Sequence, residues 1–99
     1  MTHFHGSAET AHGERYLQQL CKHWAHKFPV EIAPGHGTIE LPLGRVTLSA
    51  GSDRLDVELE PVNEADEARL RTVVEEHLNR FAFREAPLPF TWTSEETAR

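Results

Sequence analysis

The sequence predicts an α+β fold, a two-layer sandwich in which a mainly antiparallel sheet carries two helices on one face. Two segments place apolar residues at the i, i+3, i+4, i+7 spacing of an amphipathic helix. Between them, short segments alternate apolar and polar residues as half-buried strands do, and Pro or Gly residues separate most of them. Each helix must bury one apolar stripe, and a single sheet can cover both stripes.

The first strand and the first helix are predicted from the N-terminal third of the chain. Residues 2–8 alternate so that His3 and His5 share one face of a strand and Phe4 lies on the other. The helix is predicted over 14–28 and ends near Phe28, because Pro29 disfavours helical geometry in the residue before it. Its apolar stripe consists of Leu17, Leu20, Cys21, Trp24 and Phe28.

Four strands are predicted next, at 30–32, 38–43, 46–50 and 55–60, joined by tight turns as an antiparallel meander. Their polar face should be acidic and open to solvent, with Arg45 as its cation. The acidic residues on that face are Glu31, Glu40, Asp56, Glu58 and Glu60.

The second helix is predicted after Pro61, with Asn63 as its N-cap. Its apolar stripe consists of Leu70, Val73, Val74, His77, Leu78 and Phe81. His77 lies near the middle of this stripe, so we expect it to be buried between the helices and the sheet. Phe90 and Trp92 alternate with threonines as a final strand, which completes the order β-α-β-β-β-β-α-β. The prediction is one domain over 1–99, with an ordered core over about 2–93 and a polar tail at 94–99.

Composition excludes some classes of function. The net charge of −6 disfavours binding to nucleic-acid backbone, which depends on Lys and Arg. No stretch approaches the roughly 20 apolar residues of a membrane span, and the N-terminus lacks the features of a secretory signal. The single cysteine allows no internal disulfide, so we expect a cytoplasmic protein.

Cys21 and His77 are the first candidate for chemistry, because both lie on stripes that face the core. If the helices pack side by side, the pair would form a reactive thiolate or two ligands of a metal site. This would make the protein a small thiol- or metal-dependent enzyme, with iron or another divalent metal as the cofactor. The alternative is a small core residue and a core histidine.

Two pairs of histidines have chelating geometry without a visible third ligand. His23 and His26 are neighbours on the first helix, and His3 and His5 share one face of the first strand. Solvated surface histidines are the alternative for both pairs. The sequence contains no phosphate loop, CxxC, HExxH or GxSxG motif.

Two motifs, one in the first helix and one at the end of the second, stand out from the rest of the chain. The first motif contains Arg15, Tyr16, Leu17, Leu20, Cys21, His23, His26 and Lys27. The second contains His77, Leu78, Arg80, Phe81, Phe83, Arg84 and Glu85. Both motifs resemble those of a bacterial family of unknown function, DUF2218, and the similarity runs over about 3–92. Members of that family are similar in occurring beside, or fused to, siderophore-interacting flavin reductases. The resemblance therefore implies an iron-linked role with such a reductase as partner, and it transfers no catalytic residue.

The basic residues of these motifs suggest a ligand site on an otherwise acidic protein. They are Arg15, His23, His26, Lys27, Arg80 and Arg84. A cationic patch suits a carboxylate- or phosphate-bearing molecule, an iron-siderophore anion or an acidic partner. We therefore expect a non-enzymatic binding or accessory domain. The remaining alternatives are the enzyme above, a dimerising module that pairs through an edge strand, and a solvated basic helix face.

Overall fold

In the computed structural model, which describes residues 2–96, one antiparallel sheet of six strands carries two helices. The elements are β1 (Thr2–Glu9), α1 (Gly13–Trp24), β2 (Val30–Ala33), β3 (His36–Leu41), β4 (Gly44–Ala50), β5 (Arg54–Pro61), a 3-10 turn (Glu64–Asp66), α2 (Glu67–Phe81) and β6 (Thr91–Glu96). The predicted α+β sandwich and the predicted order of elements are confirmed.

The strand order in the sheet is β2-β3-β4-β5-β1-β6, so the N-terminal strand lies between β5 and β6. Gly6 of β1 pairs with Val57 on one side and with Trp92 on the other. A Cβ atom on Gly6 would lie 2.7 Å from the indole ring of Trp92, so only glycine leaves room for that ring. Trp92 Nε1 also donates a hydrogen bond of 2.6 Å to Glu75 of α2, which fixes β6 against the helix layer.

The first helix packs across β3 and β4 and ends earlier than predicted. It stops at Trp24 instead of Phe28, and the amides of Lys27 and Phe28 both bond to the Trp24 carbonyl in a closing turn. The chain must reverse here to enter β2, and Pro29 already disfavours helix at Phe28. His26 and Lys27 therefore lie in the turn after α1, outside the helical wheel that the sequence suggested.

The second helix begins later than predicted, because the Asn63 side chain accepts a hydrogen bond from the Ala65 amide and so caps the 3-10 turn, and α2 follows from Glu67. Leu70, Val74 and Leu78 are fully buried against the sheet. His77 is only half-buried, so the prediction of a buried His77 was wrong. The stripe has two rows: the i, i+4, i+8 row faces the sheet, and the row with His77 borders α1 and solvent.

The C-terminal strand extends through Glu96, so residues 94–96 of the predicted tail belong to β6. The tail residues 97–99 lie outside the described residues. In the described part of the chain, no helix is both long and apolar enough to cross a membrane.

The polar sheet face carries the predicted acidic residues, but they have more cationic partners than Arg45 alone. Arg45 Nε lies 2.7 Å from Glu40, and Arg54 Nε lies 3.0 Å from Asp56. His3 and His5 of β1 also face carboxylates of β5. Arg54 was missed because its strand position follows the turn, where alternation is hard to assign from sequence.

Candidate functional site

A buried tyrosine anchors the segment after α2 to α1. Tyr16, only 4% exposed, donates its hydroxyl hydrogen bond to Glu85 Oε2. Thr10 Oγ1 donates a second hydrogen bond of 2.9 Å to the same oxygen and accepts one of 3.1 Å from the His12 amide. Three separate parts of the chain therefore meet at one carboxylate.

The charge states of this anchor follow from its contacts. The hydrogen bond from Tyr16 lowers the pKa of Glu85 below its usual value, aided by Thr10 and by nearby His12 and opposed by partial burial. Burial raises the pKa of Tyr16, and the hydrogen bond and charge of Glu85 raise it further. At neutral pH the pair is thus an ionised carboxylate that accepts a hydrogen bond from a neutral phenol.

Above this anchor lies a cleft of about 400 Å³, which we call the tyrosine cleft. It is lined by His12, Arg15, Tyr16, Gln19, Phe81, Phe83, Arg84 and Glu85. The Arg84 guanidinium lies 5.7 Å from the ring centre of Phe83, whose side chain is 71% exposed. Within residues 2–96, neither Arg15 nor Arg84 forms an ion pair.

A second cleft, of about 450 Å³, lies beside the end of α1, and we call it the histidine cleft. It is lined by His23, Trp24, His26, Lys27, Phe28 and His77. The His77 ring centre lies 4.8 Å from that of Trp24 and 5.4 Å from that of His23. His77 Nδ1 lies 2.8 Å from the Val73 carbonyl, which can only accept, so Nδ1 carries the proton. In the neutral ring, Nε2 is therefore the acceptor.

The two clefts lie next to each other along the line where α1 and α2 meet. Phe81 lines the tyrosine cleft, and its ring centre lies 6.0 Å from that of His23 in the histidine cleft. The helices run in opposite directions here, since Tyr16 meets Glu85 while Trp24 meets His77. We call the combined surface, defined by the linings of both clefts, the helix furrow.

The furrow gathers five of the six predicted ligand residues. Arg15 and Arg84 line its tyrosine cleft, and the other three, His23, His26 and Lys27, line its histidine cleft. Arg80 is exposed in the last turn of α2 and lines neither cleft. These residues form two groups at the ends of one furrow.

Sequence reasoning missed the link between Tyr16 and Glu85, which are 69 residues apart in the chain. Tyr16 belongs to the first motif and Glu85 to the second, but nothing in the sequence indicates that the two side chains meet. His12 and Phe83 were also missed as lining residues. An exposed phenylalanine beside an arginine leaves no periodic signal in the sequence.

Cys21 and His77, the predicted thiol or metal pair, lie in different environments. Cys21 is 1% exposed and lies over β3, where a Cβ atom on Gly37 would come within 2.5 Å of its sulfur. Burial raises the pKa of Cys21 to about 11, so the thiol is protonated at neutral pH. His77 packs against Trp24 and His23 at the furrow. These observations favour the interpretation of Cys21 as a small core residue.

Comparison with known proteins agrees with the fold. The NMR structure of PA4090 from Pseudomonas aeruginosa matches with a TM-score of 0.78 and 33% sequence identity, over 94% of this chain and 96% of that chain. Comparison with curated proteins gave no match. The sequence model of the DUF2218 family, described as an uncharacterized protein conserved in bacteria, matches residues 5–93. The chain therefore belongs to the DUF2218 family.

Proposed function

We propose that the protein is a small binding domain whose helix furrow takes an anion that carries carboxylate or phosphate groups. The observation that carries this proposal is that Arg15, Arg84 and Lys27 line the furrow without ion-pair partners within residues 2–96. The one carboxylate in the lining, Glu85, already accepts hydrogen bonds from Tyr16 and Thr10.

The chain as a whole is acidic, with a net charge of −6. Carboxylates outnumber cations, yet these cations remain available to a ligand. Guanidinium groups bind planar carboxylates and phosphates through two parallel hydrogen bonds, which makes Arg15 and Arg84 suitable anchors. The furrow can therefore hold an anion that the rest of the surface would repel.

The aromatic rings of the furrow indicate that the ligand also has an apolar or ring-bearing part. Phe81 and Phe83 line one cleft, and Trp24 and Phe28 line the other. Binding clefts generally combine such apolar walls with a few polar groups that fix orientation. A ligand larger than a simple inorganic ion fits this combination.

The finer version of the proposal takes its ligand from the family resemblance. The ligand would be an iron-siderophore anion, whose charge and apolar parts match the furrow, and a siderophore-interacting reductase would be the partner that receives it. The protein would act in the cytoplasm as an accessory domain without catalysis of its own. The furrow chemistry supports an anionic ligand, and the choice of an iron complex rests on the resemblance.

Calorimetric titration tests both versions. The ligands are citrate and a set of siderophores, each in its ferric and iron-free form. Two double variants are compared with the wild-type protein: Arg15→Ala with Arg84→Ala in the furrow, and Arg45→Ala with Arg54→Ala on the sheet face. Each charge-assisted hydrogen bond contributes about 1.5–3 kcal/mol, so the furrow variant should bind at least about 10-fold more weakly. The sheet variant should bind like the wild-type protein.

Each result decides between the versions. Binding of ferric but not iron-free siderophores supports the iron version, and binding of citrate or iron-free forms alone restricts the proposal to anions. If no anion binds, or if both double variants lose the same affinity, the furrow proposal is wrong.

Pairing of two copies through the sheet edge is a second candidate. Strand β2 is at one edge of the sheet, and its Ile32 side chain is 44% exposed. Open edge strands with apolar residues are templates for pairing with another chain. Light scattering at high protein concentration should show a dimer that Ile32→Lys abolishes, and a wild-type monomer would exclude this candidate.

A further inference from the structure

The first strand carries two histidines that the sequence left without a third metal ligand, and the sheet brings two carboxylates beside one of them, His3. Strand β5 lies antiparallel to β1, with His5 opposite Glu58 and Phe4 opposite Leu59. The carboxylates of β5 therefore share the exposed sheet face with the two imidazoles, because alternate residues of paired strands point the same way.

His3 lies between two of these carboxylates. Its Nδ1 atom is 3.2 Å from Glu58 Oε2, and its Nε2 atom is 3.8 Å from Glu60 Oε2. One potential ligand atom from each of His3, Glu58 and Glu60 lies within 4.8 Å of the others. The three side chains are 25%, 41% and 32% exposed, so water and ions can reach them.

We propose that His3, Glu58 and Glu60 form a binding site for a divalent first-row transition metal ion such as Zn²⁺. This site is on the opposite face of the sheet from the helix furrow and is independent of the function proposed there. It gives the protein a cation site on its acidic face and an anion site on its helical side.

The donor set suits such an ion. One imidazole nitrogen and two carboxylate oxygens are common ligands of Zn²⁺, at about 2.0–2.2 Å from the metal. Two ligands at that distance in a tetrahedral site are about 3.4 Å apart, close to the 3.2 Å between His3 Nδ1 and Glu58 Oε2. The Glu60 ligand atom lies within 4.8 Å of the other two, and rotation of the partly exposed His3 and Glu60 side chains would bring all three to one ion. Three protein ligands leave a fourth position for water.

The neighbouring charges also favour a cation at this position. Arg45 lies 4.0 Å from Glu60 Oε1, whereas the Oε2 atom faces His3. Farther along β5, Asp56 pairs with Arg54 through Oδ2, while its Oδ1 is buried without a hydrogen-bond partner among the described residues, with His5 Nε2 at 3.6 Å. The strip of carboxylates is thus incompletely neutralised by the protein itself.

A protonated His3 that bridges the two carboxylates is the competing explanation of the same geometry. It predicts that the cluster is already satisfied and binds no ion. Metal binding predicts instead that His3 is neutral in the complex and that loss of any one ligand weakens binding.

Titration of metal-free protein without a histidine tag with ZnCl2 distinguishes the two. Calorimetry should show one saturable site, and amide spectra of the labelled protein should shift at residues 3, 58 and 60. The variants His3→Ala and Glu60→Gln should each weaken binding by at least about 10-fold, the loss that even outer-shell partners of metal ligands produce. His36→Ala is the matched control, since His36 is an exposed histidine of β3 outside this cluster.

Two results would overturn the proposal. One is the absence of saturable Zn²⁺ binding, and the other is binding that His3→Ala and Glu60→Gln leave unchanged. Because the spectra of the wild-type protein locate the ion by themselves, shifts confined to residues elsewhere would also overturn it, even if a variant failed to fold.

Discussion

The arginines Arg45 and Arg54 of the exposed sheet face are paired with carboxylates, whereas Arg15 and Arg84 of the helix furrow have no such partners within residues 2–96. Arg45 contacts Glu40 and Glu60, and Arg54 contacts Asp56. Exposed ion pairs contribute only about 0–1 kcal/mol, so neither arrangement matters much for folding. The difference concerns ligand binding. The arginines of the sheet face are held in ion pairs, whereas the arginines of the furrow are available to bind an anion.

The two regions can also be compared by how deeply their reactive groups are buried. The largest expected effect is on the alkylation rate of Cys21. Its sulfur is buried between α1 and β3, and burial raises its pKa to about 11. Alkylation of the folded protein should therefore be slower than that of the unfolded chain by a factor on the order of 10³ or more, since reaction must wait for unfolding.

The control for this measurement is Gln19→Cys in a Cys21→Ala background, because Gln19 is exposed in the furrow lining. Its thiol should react at the rate of an unfolded cysteine. Rapid alkylation of folded wild-type protein would restore Cys21 as a candidate nucleophile.

The anchor between Tyr16 and Glu85 should contribute more to stability than any ion pair on the sheet face. Tyr16→Phe removes a buried hydrogen bond to a carboxylate, so we expect it to lower the free energy of unfolding by about 2 kcal/mol. Arg45→Ala should cost less than about 1 kcal/mol. Urea denaturation of both variants checks the difference, and an equal cost would remove the contrast between the two regions.

The pH dependence of stability follows from the same anchor. The pKa of Glu85 is lowered in the folded state, so its contribution is present above its unfolded pKa of about 4.3 and lost as pH falls through the folded pKa. The pKa of Tyr16 is raised, so its contribution is present below about pH 10 and lost as pH rises through the folded pKa. Urea midpoints between pH 3 and 6 should depend less on pH in Glu85→Gln than in the wild-type protein, and identical slopes would contradict this assignment.

The smallest expected effects distinguish histidines within the furrow itself. His77→Ala loses a hydrogen bond to Val73 and the packing against Trp24, so it should cost on the order of 1 kcal/mol. His23→Ala and His26→Ala should change the free energy of unfolding by less than about 0.5 kcal/mol, since both side chains are exposed. Denaturant midpoints in the reverse order would show that His77 is not held as described.

The elements of this fold were predictable because periodicity reports which face of each segment is buried. The alternation in β4 and β5 and the stripe of α1 required no knowledge of distant residues. The end of α1 at Trp24 was not predictable, because the closing turn depends on where β2 begins. The two rows of α2 could not be separated either, since the sequence does not show how far α1 covers His77.

The sites were predictable in part for the same reason. The basic residues of the furrow came from the two motifs, but their division into two clefts depends on the antiparallel packing of the helices. The anchor between Tyr16 and Glu85 and the cluster of His3 with β5 both join residues far apart in the chain. Such contacts are set by topology, and a single sequence does not encode topology locally.

The most direct test of the central claim is to map an anion on the labelled protein by its amide chemical shifts. Citrate added at low ionic strength should shift amides around Arg15, Gln19, His23 and Arg84 in a saturable manner, and added salt should reverse the shifts. Amides around Arg45 and Arg54 should not move. Shifts concentrated on the sheet face, or no saturable shift anywhere, would contradict the claim that the furrow is the protein's anion site.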